Sequence, residues 1–121
     1  MTKYDPSNAP SPSEWNDLSE NQKLDMIKAY HEMIGLPVPN INFHAGLHLI
    51  VESQIAMGDA IPVNKEFTRL LSEGADRHAA IHAVATAFKH LKEKAELHPS
   101  IRPSVVSYYR EIEALNGAKL K

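Results

Sequence analysis

Glycine and proline recur along this chain at intervals that suit helices and leave little room for paired strands. Gly35, Gly58, Gly74 and Gly117 each close a stretch in which apolar residues return every three or four positions. A residue able to cap a helix stands ahead of most of these stretches. Ser11 to Glu14 and Ser19 to Gln22 have capping-box spacing, with Pro12 suited to the first helical position. The spacing predicts a short helix near Trp15 and a longer one from Glu20 to Ile34, its apolar face built from Leu24, Ile27, Tyr30 and Ile34. Gly35 stops that helix, and Pro37 and Pro39 prevent its continuation.

Asn40 caps a third helix, Ile41 to Met57, which Gly58 ends. Pro62 or Asn64 opens a shorter one through Phe67, Leu70 and Leu71 that stops before Gly74. Asp76 caps a long helix from Arg77 to about Leu97, and a last one runs from about Pro103 to Leu115. The β-branched pairs Ile50-Val51 and Val105-Val106 fall inside helical patterns, so no strand is predicted. The expected fold is all-α, an irregular bundle of five to six helices with no sheet. Residues 1–12 read as an extended or disordered arm, 13–117 as a single helical domain and 118–121 as a C-terminal tail.

Several functions are disfavoured by what the chain lacks. Its formal net charge of −2 offers no basic excess for phosphates, so no nucleic-acid partner is expected. No Lys/Arg cluster flanks an apolar stretch, and no apolar run nears the ~20 residues of a membrane span, so no membrane partner is expected either. The absence of cysteine removes disulfides, thiolate nucleophiles, iron–sulfur clusters and Cys-ligated zinc. The polar, Pro-rich start lacks the apolar segment of a signal peptide, and a cytoplasmic location is expected. There is no Gly-rich phosphate loop and no nucleophile elbow.

Two His-x-x-x-His pairs, His44/His48 and His78/His82, stand apart from this background. Residues four apart on a helix project to one side one turn apart, so each pair could chelate a single ion. With His44 at zero on a helical wheel, His48 falls at about 40°, Val51 at about −20° and Ile55 at about 20°. The first pair therefore lies in the middle of an apolar face. The second pair lies between a face marked by Ile81, Val84 and Phe88 and another of Ala79, Ala80, Ala83 and Ala87. Roughly 0.4 such pairs would arise by chance from this many histidines, and two or more about one time in fifteen.

The ligand set implied is His44, His48, His78 and His82, with Glu52, two turns from His44, as an added carboxylate. All-nitrogen ligation suits zinc, iron, nickel or copper alike. The alternative is that these are core histidines bonded to carbonyls or carboxylates, with Glu52 a half-exposed helix residue. His78-Ala-Ala-Ile-His82 has the spacing of the zinc-protease signature, but Ala79 occupies the position of the general-base glutamate, which excludes that mechanism. A carboxylate-bridged dinuclear centre would need more glutamates than Glu52. Against a metal site stands a second class of function: a helical interaction module or homodimer using an apolar helix face, with no chemistry and no small-molecule ligand specified.

His44-Ala-Gly-Leu-His48, with Asn40 before it and Gln54 after it, and Asp76-Arg-His-Ala-Ala-Ile-His82 together resemble the motifs of an uncharacterised bacterial family, the domain of unknown function 1841. Asn40, His44, Gly46, His48, Gln54, Asp76, His78, Ala80 and His82 match, while Ala79 stands where that family carries glutamate. The resemblance covers about Asn40 to Phe88 and implies a helical fold and a bacterial, cytoplasmic source. It implies no activity.

Overall fold

The computed structural model describes residues 3–35, 38–100 and 104–121. Among these are six α-helices and no strand: α1 (Pro12–Asp17), α2 (Glu20–Ile34), α3 (Ile41–Ala56), α4 (Val63–Ser72), α5 (Arg77–Leu97) and α6 (Val105–Glu113). Single 3₁₀ turns follow α3 and α6. The expected all-α bundle is the observed one, with helix ends close to those predicted. Pro37 and Pro103, given structural roles above, lie outside the described residues.

Local chemistry sets these boundaries. Ser19 and Gln22 form a reciprocal capping box, at 2.8 and 3.1 Å, that satisfies two orphan amides at the start of α2. Gly35 ends α2 at φ +70°, a conformation that costs other residues a Cβ clash. Asn40 caps α3 through the Phe43 amide, itself at φ +52°, a region asparagine tolerates better than most side chains. Asp76 caps α5 through the Ala79 amide at 3.0 Å.

α3 is apolar on most of its sides, and it is the central helix. On one side it packs with α1 and α2 around Tyr4, Trp15, Ile27 and Ala45. On the other it meets α4 and α5, whose cluster with α6 includes Val51, Phe67, Leu70, Ile81, Val84 and Ile112. The Ala-rich face of α5 is used inside the chain, since Ala80 and Ala87 are buried.

Both ends of the chain pack against the helices. Tyr4 and Pro6 are buried, and a turn closed by Asn8 N–H on the Asp5 carbonyl leads from them towards α1. The Tyr4 ring packs against Trp15 and Tyr30 at 6.0 and 6.1 Å between centroids, and its burial docks the arm. The C-terminal segment is also integral. The Asp76 amide donates to the Leu120 carbonyl at 2.7 Å, and Gly117 is buried against α4.

Candidate metal centre

α2, α3 and α5 converge on the space between the two apolar clusters, and each contributes histidine there. α3 places His44 and His48 one turn apart, and α5 does the same with His78 and His82. The two pairs meet: His48 Nε2 lies 3.1 Å from His44 Nε2 and 3.1 Å from His82 Nε2. The His78 ring stacks edge-on with His82 at 4.4 Å between centroids and lies 5.2 Å from His48. Zinc–nitrogen bonds of about 2.0–2.1 Å in tetrahedral array set ligand nitrogens about 3.3 Å apart. The observed spacing is close to that value.

A fifth histidine joins them. His31, on α2, stands 4.7 Å from His44 and 5.1 Å from His48 between ring centroids. No other histidine stands at helical spacing from it in the sequence. The usable signal was its position one turn after Ile27, since Lys23, Ile27 and His31 form the buried stripe of α2. Ile34, expected on that face, is partly exposed instead. Ring nitrogens from His31, His48 and His78 lie within 4.8 Å of one another, and so do those from His44, His48 and His82. His48 belongs to both groups.

The protonation of two rings follows from their partners. A carbonyl oxygen only accepts, so His31 Nδ1, 2.8 Å from the Ile27 carbonyl, carries a proton, and in the neutral tautomer Nε2 carries the lone pair. Tyr4 donates its hydroxyl proton to Glu52 Oε2 at 2.7 Å. Its oxygen is then the acceptor for His48 Nδ1–H at 3.0 Å, which leaves His48 Nε2 with its lone pair aimed at the other histidines. His31 Nε2 and His78 Nε2 are buried and find no hydrogen-bond partner among the described residues. Burial, with repulsion from neighbouring imidazoles, lowers His48 to about 2 and His44 and His82 to about 4. His78 is also lowered, by burial first. These rings are neutral at pH 7, the state in which imidazole ligates metals.

Glu52 occupies a different place from the ligand position expected of it. It is buried, not half-exposed, and both of its oxygens are engaged. Arg77 Nη2 donates to Oε1 at 2.7 Å and Nη1 to Oε2 at 2.9 Å, a bidentate pair, while Tyr4 also donates to Oε2. Arg77 Nη1 in addition donates to the Pro6 carbonyl, which ties the N-terminal arm to α5. Burial and the Glu52 carboxylate push the Tyr4 hydroxyl far above its ordinary range, so it remains a neutral phenol. Arg77, Glu52 and Tyr4 thus form a chain of hydrogen bonds ending on His48, the arrangement that orients histidine ligands in metal sites. Tyr4 and Arg77 carried no sequence signal for this role, because the contacts join residues far apart in the chain.

The remaining motif residues have structural places. Asn40 and Asp76 cap the two histidine-bearing helices, and Gln54 accepts from the Tyr108 hydroxyl on α6. A cavity of about 310 Å³, lined in part by Phe43, Thr86 and Lys89, opens beside His44, His48 and His82. No helix among the described residues is long and apolar enough to cross a membrane. No family model, no curated protein and no solved structure matches this chain, so the reading of its chemistry rests on the histidine geometry.

Proposed function

We propose that this protein binds one first-row transition-metal ion in the histidine cluster, with His48 as the central ligand. One observation carries the reading: ring nitrogens of five histidines converge on one space, and two of the buried ones find no hydrogen-bond partner among the described residues. His31 Nε2 and His78 Nε2 have no partner among the described residues, and His48 Nε2 faces only other imidazoles. An unpartnered buried polar nitrogen costs about 1–3 kcal/mol. A cation offers each lone pair a partner, and His48 already has the outer hydrogen bonds of a ligand. Core histidines in a purely structural role would each be expected to find a carbonyl or carboxylate, as His31 Nδ1 does and the inner Nε2 atoms do not.

Nitrogen ligation suits zinc, nickel, copper and iron, and the ligand type does not choose among them. Three imidazoles on one ion leave a coordination position open, which is the arrangement of sites that act on a bound molecule. Kinship with the bacterial family whose motifs the chain resembles, and a cytoplasmic location, belong to the same proposal. Calorimetric titration of zinc(II) into untagged, metal-free protein at pH 7.5 tests it. The expected result is saturation at one ion per chain, with binding lost in His48→Ala. Saturable binding left intact in His48→Ala, or none in the parent protein, would refute it.

A further inference from the structure

The five histidines offer two places for an ion, and both need His48. His44, His48 and His82 make one triad and His31, His48 and His78 the other. His48 has a single nitrogen to give, because its Nδ1–H is held by Tyr4. One lone pair ligates one ion, so the two triads exclude each other.

They also differ in access and in what they lack. The first triad borders the 310 Å³ cavity, and His82 is exposed. Its nitrogens already lie at hydrogen-bond distance from one another, so an ion there replaces existing contacts. Lys89, which also lines the cavity, adds like charge that disfavours a cation there. In the second triad the His31 and His78 Nε2 atoms each expose less than 1 Å² and have no partner among the described residues. An ion there satisfies groups that none of those residues satisfies. A hydrated ion therefore meets the outer triad first and is held better by the inner one.

The geometry points to a two-position site: an ion captured by His44, His48 and His82 passes to His31, His48 and His78 without leaving His48. The transfer exchanges two imidazole ligands for two others, with no change of oxidation state and no proton needed at His48. This inference rests on the metal reading above and adds an order of events to it.

Stopped-flow mixing of metal-free protein with cobalt(II), followed by its visible absorption, tests the order. A chelator challenge then measures release. The parent protein should load in two phases, a fast one proportional to cobalt concentration and a slower one independent of it. His82→Ala should lose the fast phase and load at least about tenfold more slowly, yet reach the same final spectrum and release rate; outer-shell changes alone already cost this much. His78→Ala should keep the fast phase, lose the slow one and release cobalt at least about tenfold faster. His31→Gln is the second inner variant, and circular dichroism checks the helicity of each. Two cobalt ions per chain would overturn the two-position site while leaving metal binding intact. So would equal effects of inner and outer variants on both loading and release. No uptake by the parent protein would overturn the metal reading and this inference with it.

Discussion

Replacing Glu52 by glutamine removes one charge from a pair that is almost wholly enclosed. The side chains of Arg77 and Glu52 are 7% and 1% exposed, and their shortest contact is 2.7 Å. Breaking a buried pair from one side leaves the other charge without compensation, which costs about 3–5 kcal/mol. The lower figure applies here, because the glutamine oxygen still accepts from one Arg77 N–H and Pro6 keeps its own bond to that side chain. With about 2.1 cal/mol/K of unfolding entropy per residue, a chain of 121 residues loses about 4 °C of Tm per kcal/mol, or about 12 °C in all. Melting of the metal-free protein followed by circular dichroism measures the shift. The double variant Glu52→Leu/Arg77→Met should recover most of the loss, since neither charge is then stranded. A fall of less than about 4 °C in Glu52→Gln, or a double variant as unstable as the sum of Glu52→Leu and Arg77→Met alone, would refute the view of this pair as a buried, mutually dependent unit.

Acid should destabilise the metal-free protein. His48, His44 and His82 have folded pKa values below the ordinary 6.5, so the unfolded chain takes up protons first. Their contribution is complete above pH 6.5 and is lost as pH falls from there to about 4, where His44 and His82 begin to protonate in place. For the buried His48 alone the loss at pH 5 is about 2 kcal/mol. Urea midpoints at pH 7.5, 6 and 5 check this, and a constant or rising midpoint would contradict it. Tyr4→Phe removes the oxygen that holds His48 Nδ1–H and should weaken zinc binding about 10- to 100-fold in competition titrations. Unchanged affinity would show that Tyr4 does not orient the ring. Gly117→Ala drives a Cβ into the Leu70 carbonyl and against Glu73, and should cost about 1–3 kcal/mol in urea unfolding. A neutral effect there would mean that the C-terminal turn is free to move aside.

Features set by local rules were readable in the sequence. The boundaries of α2, α3 and α5 follow from Ser19, Gly35, Asn40 and Asp76, each of which acts within a few residues of itself. The inward direction of His44 and His48 followed from their place on the wheel of α3. That α3 and α5 would bring the two pairs together was an expectation of packing, and the 3.1 Å approach of His48 to His82 meets it. What escaped the sequence depended on partners far away along the chain. Glu52 stood two turns from His44, but its engagement by Arg77 and Tyr4 could not be seen from spacing. Tyr4 fell within a stretch read as an extended or disordered arm because prolines and polar residues surround it, whereas its ring is buried and its hydroxyl and the Pro6 carbonyl bond to α3 and α5. His31 has no histidine four residues away, and its companion at that spacing is Ile27.

The central question is whether a metal ion sits among these imidazoles. An anomalous difference map from a crystal of the zinc-loaded protein, recorded above and below the zinc absorption edge, addresses this most directly. One peak per chain is expected, about 2.0–2.1 Å from His48 Nε2 and within bonding distance of two further histidines from one of the two triads. No peak at His48, with zinc found only on exposed side chains such as His90 and Glu111, would contradict it.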